Sequence, residues 1–270
     1  MGRPYRKASR QTLVWLVICL CGVAGQIALM MSVPAFKTMG PVQAFALGSL
    51  PFFVALALAY VVTGRLKRGR FRRISGTLTP MGFDLALKPG PEGKKEFFAP
   101  LEPLQKWMDL RPGADGIEWF GTRTGQHGEV RLFEYEYVTG TGKGTQIHMR
   151  TIVAFPADRQ VPTGCALGRL DGFRVARMSW WTRRLWAKHS LKDGVFGRLD
   201  GWVSTGDAET GRLFLSPGVM DQLRSAPRGE SWYIGGGWVC CVYDDPLEPQ
   251  DLVKFMDRAW HVFSAAGAAG

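Results

Sequence analysis

The chain of 270 residues has room for one or two domains, and at 46% hydrophobic and 21% charged its average composition is that of an ordinary globular protein. Its excess positive charge is not spread evenly: no Asp or Glu precedes Asp84, eleven Lys and Arg lie between Arg3 and Arg73, and residues 74–270 balance 23 basic against 23 acidic side chains. A nucleic-acid binder needs cations in its folded domain to neutralise phosphates; here they flank apolar stretches instead, which argues against nucleic acid as a partner.

Leu13–Val33 is uncharged, with Gln26 its one strongly polar side chain, and Val42–Thr63 is also uncharged. At 1.5 Å per residue each stretch matches the ~30 Å hydrocarbon core of a bilayer. The connection Pro34–Pro41 is short, so the expectation is a transmembrane hairpin with spans at about 13–33 and 42–63. Four basic residues precede the first span, six follow the second and only Lys37 lies between them. Such an asymmetry places both ends in the cytoplasm, at the inner (plasma) membrane. A cleaved signal peptide ending near Val23-Ala24-Gly25 is the rival reading, but the apolar run is long and a second span follows directly. Cys21 lacks the preceding residues of a lipid-attachment box. Gln26 is expected to hydrogen-bond the other helix, and Pro51 to kink the second span.

The junction Gly64–Arg73 carries Arg65, Lys67, Arg68, Arg70, Arg72 and Arg73. It reads as a stop-transfer anchor, or more sharply as a contact for anionic lipid headgroups.

From Ile74 the expectation is a cytoplasmic α+β domain, residues 74–270, beside a membrane domain of residues 1–73. Ser75–Leu87 reads as a hairpin around Pro80-Met81-Gly82, Lys88–Glu96 as a loop, and Leu101–Leu110 as a short helix. Glu129–Val138 and Gln146–Phe155 alternate with period two around a Gly-rich turn, the signature of a hairpin. Phe133, Tyr135 and Tyr137 share one face of the first strand; Ile147, Met149, Val153 and Phe155 share one face of the second. Ser216–Ala226 reads as a helix with Ser216 as N-cap and Pro217 at its first position. Ser231–Tyr243 reads as a second hairpin turning at Gly235–Gly237. Pro249–Ala265 reads as an amphipathic helix burying Leu252, Phe255, Met256, Ala259 and Phe263. Strands mixed with a few helices, without regular βαβ alternation, give a mostly antiparallel sheet with a C-terminal helix.

No motif reaches a reaction. The turn GTGKGT lacks phosphate-loop spacing, since Tyr137 stands where the first Gly belongs and Gly144 where the hydroxyl belongs. Gly235-Gly236-Gly237-Trp238 resembles an oxyanion-hole run, but no G-x-S-x-G accompanies it. Cys19, Cys21, Cys165, Cys240 and Cys241 include no C-x-x-C, and adjacent Cys240 and Cys241 on a strand point to opposite faces. His127, His148, His189 and His261 have no metal-ligand spacing. His148 with Glu134 and Glu136 reads as a charge pair on a solvated face rather than an acid–base site. No catalytic residue, cofactor or metal site is expected.

Arg177–Lys188 mixes Trp180, Trp181 and Trp186 with Arg183 and Arg184. Such a mixture suits a membrane surface, and equally a core edge with a solvated basic rim. The run EVRLFEYEY, then HMRTIVAF, RLFLSPGVMDQLRS and SWYIGGGWVCCVYDDPLEPQDLVKFMDRAW, resembles an uncharacterised family of bacterial membrane-associated proteins over roughly residues 117–263. The resemblance implies a cytoplasmic α+β module beside a membrane anchor, and no activity. The leading expectation is a membrane-anchored binding or scaffold module with a protein partner. The alternatives are a subunit of a larger transport or envelope assembly and an inner-leaflet enzyme acting on a lipid-linked substrate.

Overall fold

A computed structural model describes residues 10–32, 41–87, 90–105, 108, 116–125, 128–139, 146–157, 165–169, 202–206, 214, 216–227 and 229–267. The chain forms two compact units, one from Ala8 to Ile74 and the other from Ser75 onward.

The first unit consists of α1 (Arg10–Ser32) and most of α2 (Pro41–Leu78). At 38 residues α2 is roughly 57 Å long. It runs through Pro51, whose missing N–H removes one backbone bond from its ladder. The two helices meet where both carry small side chains. A Cβ added to Gly22 would overlap that of Ala55, and one added to Gly25 would lie 3.8 Å from Pro51 Cβ. Close backbone approach through small residues is how helices associate where no hydrophobic effect drives them together. Ala55 and Ala59, one turn apart, are buried, while Phe53, Val54, Leu58 and Tyr60 are exposed, Tyr60 by 80%. Among the described residues one helix, over Ser49–Met81, is long and apolar enough to cross a membrane.

The second unit is built on an eight-stranded sheet in the order β1-β2-β3-β4-β8-β7-β5-β6, with every described neighbouring pair antiparallel. The strands are β1 (Asp84–Leu87), β2 (Ile117–Gly125), β3 (Gly128–Thr139), β4 (Gln146–Pro156), β5 (Cys165–Arg169), β6 (Trp202–Gly206), β7 (Glu230–Gly235) and β8 (Trp238–Tyr243). The helices are α3 (Pro91–Phe98), α4 (Glu102–Gln105), α5 (Pro217–Arg224) and α6 (Pro249–Ala265).

The two hairpins form as their alternation requires. In β3 and β4, Phe133 lies opposite Ile152 and Leu132 opposite Val153. The turn between β7 and β8 is Gly236-Gly237, with φ of +59° and +77°. Two successive positive φ angles make the tight hairpin turn that glycine favours. Ser216 Oγ accepts a hydrogen bond from Val219 N at 3.3 Å and caps α5. The five apolar residues expected on α6 are all buried.

Each face of the sheet is covered. On one, Phe97 of α3 stacks on Phe120 at 4.1 Å and meets the edge of Phe133 at 5.4 Å. Leu101, Leu104, Tyr135, Ile152, Cys240 and Val242 complete that core. On the other, Phe263 of α6 stacks on Phe155 at 4.9 Å, and Phe255 lies against Tyr243. A bulge between Ile117 and Trp119 sends these two residues, otherwise in phase, to opposite faces.

Several expectations need correction. Ser75–Leu87 is not a hairpin. Helix α2 continues to Leu78, burying Ile74 and Leu78 at helical spacing, and a 3-10 turn over Thr79–Met81 ends at Gly82 with φ +84°. Only Asp84–Leu87 is a strand, and it pairs with β2. The loop expected over Lys88–Glu96 is largely α3: Gly90 is its N-cap and Pro91 its first residue, so the residues that suggest a loop instead start a helix. The short helix expected over Leu101–Leu110 is present as α4, Glu102–Gln105 among the described residues, entered through a 3-10 turn over Ala99–Leu101. The GTGKGT turn, the Arg177–Lys188 segment, His127 and His189 lie outside the described residues.

Candidate functional site

Three places bear on function. The first is the basic end of α2. The six cations expected at the junction all lie on the helix itself, past its apolar stretch. The helix sorts them: Arg65, Arg68, Arg72 and Arg73 are exposed, Lys67 is half-buried and Arg70 is only 8% exposed. The tryptophan and arginine candidates Trp180, Trp181, Arg183, Arg184 and Trp186 lie outside the described residues.

The second is a row of polar groups under α5 and α6. Glu134, expected on a solvated face, is fully buried. The cause is the second layer of helices: the face that would be wet in a one-layered domain is covered by α6. Its carboxylate accepts a hydrogen bond from Trp119 Nε1 at 2.8 Å. Opposite it, Thr151 donates to the Asp245 carbonyl at 3.0 Å. Register places His148 opposite Tyr137, three positions from that pair.

Further along the same face Glu230 is also fully buried. It accepts from Trp232 Nε1 at 3.0 Å and from Arg258 Nε at 3.0 Å. Arg258 spends its other nitrogens on Ser225 Oγ, 3.2 Å away, and the Gln222 carbonyl, 2.6 Å away, both at the end of α5. One arginine therefore joins α6, α5 and β7. Glu230 is thus held in a buried ion pair with Arg258, and Glu134 by the indole of Trp119. The period-two pattern places Glu134 on a strand, and Glu230 lies one residue before the expected Ser231–Tyr243 hairpin. Only the packing of the second helical layer reveals that they are buried.

On the opposite face Arg131 lies between two rings, 5.2 Å from the Phe97 centroid and 5.3 Å from that of Trp238. It donates to the Phe97 carbonyl and pairs with Glu129 at 2.7 Å. This is a cation–π clamp holding α3 against the sheet.

The third place is a pair of shallow clefts, of about 190 and 130 Å³, between α6 and the strands β2 to β4. Both are lined by Arg123, Val130, Phe155 and Trp260. Arg123 reaches across the Phe83 ring at 5.2 Å. Binding pockets for small molecules start near ~300 Å³ and place several polar groups around the ligand. These clefts are smaller and mostly apolar.

Cys240 and Cys241 are both buried, on opposite faces of β8. Burial pushes the Cys240 thiol far above its usual range, so it stays protonated. Among the described residues no three His, Cys, Asp or Glu side chains gather as a metal site.

No protein-family model matches the chain, so no model stands behind the resemblance drawn over residues 117–263. No curated protein matches it either. Among solved structures the chain is similar to the mycobacterial trehalose monomycolate transport factor A, TtfA, at 11% identity and a TM-score of 0.47, over 73% of this chain and 96% of that one. Identity and score at these levels carry neither fold nor function across.

Proposed function

We propose that the chain is a membrane-anchored binding or scaffold module, with α1 and α2 crossing the inner membrane as a hairpin and the α+β domain, residues 74–270, in the cytoplasm. The observation that carries this reading is the inverted packing of the first unit. Its small residues face inward and its large apolar ones outward, an arrangement that water penalises and lipid does not. The cytoplasmic orientation rests on the charge asymmetry of the loops.

Among the described residues the clefts are small and the buried carboxylates are engaged in hydrogen bonds, which supports binding over catalysis. An inner-leaflet enzyme would need a deeper pocket with convergent polar groups. A subunit of a transport or envelope assembly would need a free face for partner helices. Gly22 and Gly25 are taken up by α2, so partner helices would use the outward apolar face of Phe53, Val54 and Leu58 instead. The Trp180–Trp186 segment, with Arg183 and Arg184, is proposed as a membrane-surface contact of the domain on its composition alone.

The test is crosslinking in living cells, purification in a gentle detergent, and mass spectrometry. A stoichiometric protein partner attached through residues 74–270 supports the module. Recovery of the protein alone with a tightly held lipid overturns it in favour of the enzyme.

A further inference from the structure

Because α2 stays helical through the junction, the six cations occupy fixed directions around its axis. Arg65, Arg68 and Arg72 recur at i, i+3 and i+7 and fall within an arc of roughly 60°. All three are exposed. Lys67 and Arg70 point to the far side, where Arg70 is buried, and Arg73 is rotated by about 80° from Arg65. The run of six charges is therefore a stripe of three plus three others with different surroundings.

We infer that the Arg65–Arg68–Arg72 stripe is a binding surface for the phosphate groups of anionic lipids in the leaflet that α2 leaves. This rests on the membrane-anchored reading above and names the lipid chemistry of that anchor. Three features support it. First, the stripe continues the same helix that carries exposed Phe53, Val54, Leu58, Tyr60 and Val61, so lipid already lies beside it. Second, the heights fit. Counted from Thr63, the end of the apolar stretch, Arg65 lies roughly 3 Å further along the axis, Arg68 about 7.5 Å and Arg72 about 13.5 Å. The polar zone of a leaflet is about 5–7 Å deep. Third, side chains on a helix lean toward its N-terminus, which here is back toward the bilayer. The long arginine stems thus bring Arg68, and in part Arg72, down to the phosphates.

The heights rank the three residues. Arg65 and Arg68 reach the headgroup layer. Arg72 acts from beyond it, within a screening length of the phosphates.

The experiment uses the full chain reconstituted in phosphatidylcholine vesicles containing a minority of phosphatidylglycerol. Spin-labelled lipids report the preference of the protein for one headgroup over the other. Loss of about five-fold in that preference is expected from Arg65→Gln or Arg68→Gln, and less from Arg72→Gln. High salt should erase the Arg72 contribution first. The pair Lys67→Gln and Arg73→Gln should change the preference less than any one substitution in the stripe. Equal losses from that pair and from the stripe would overturn the inference and leave a diffuse charge effect. So would a wild-type protein that inserts but shows no headgroup preference. A chain that is released from native membranes by alkaline carbonate refutes the anchored reading itself, which is a separate result.

Discussion

Around Gly22 and Ala55 the first unit is small inside and large outside. Around Phe133 and Phe263 the second is large inside. The exposed large hydrophobic side chains among the described residues, from Val17 to Leu66, all lie on α1 or α2. On the membrane-anchored reading proposed above, the difference reflects two solvents. In water a large apolar side chain stabilises by being hidden, at ~25 cal/mol per Å². In hydrocarbon hiding it gains little, and close contact between backbones through small residues becomes the better use of an interface.

The comparison can be broken most forcefully on α2. Val54 and Leu58 are exposed, so in a water-facing unit replacing both with Asp would alter stability by under about 1 kcal/mol in total. On a lipid-facing helix each should cost about 2.5–3.5 kcal/mol. The expected outcome is loss of membrane insertion, read by alkaline extraction of the Val54→Asp, Leu58→Asp protein. Retention with normal stability would show that α2 faces water.

In the second unit the counterpart is Phe263, buried against Phe155 and Trp260. Phe263→Ala should lower unfolding stability by about 3–5 kcal/mol in urea melts while leaving extraction behaviour unchanged. Removing the guanidinium of Arg258 should cost a similar ~3–5 kcal/mol, because the carboxyl of Glu230 would be left buried without its ion-pair partner. The double variant Arg258→Met, Glu230→Gln should recover part of that loss, which a double-mutant cycle measures directly. The smallest effect is expected at Ser216, whose hydroxyl caps α5 and donates to the Ala265 carbonyl at 2.9 Å. Ser216→Ala should cost about 1 kcal/mol.

What could be read from the sequence followed periodicity. The β3–β4 and β7–β8 hairpins, the Ser216 cap and the face of α6 were all visible, because each depends on local alternation, turn chemistry or helical spacing. What failed were places where one local signal has two meanings. Gly90-Pro91 is loop punctuation or a helix start, and the choice depends on whether Phe97 and Phe98 find a core to fill. Glu134 is solvated or buried according to whether a helix from over a hundred residues away covers its face. The candidate site divides the same way. The six cations of the junction were plain from composition, but the distinction among them appears only once the segment is known to be one unbroken helix.

The neighbouring thiols of β8 have a practical consequence. Cys240 sits beneath the α3–α4 layer and Cys241 beneath the α5–α6 layer, one residue apart on one strand. Each can be labelled only when its own layer lifts, because a labelling reagent cannot reach a buried thiol. With the other cysteines replaced, the order in which the two accept a label under mild denaturant is a pair of clocks on adjacent residues. If Cys241 is modified first, the C-terminal helix undocks before the sheet loses its other cover. Simultaneous modification would mean that both layers come away in one step.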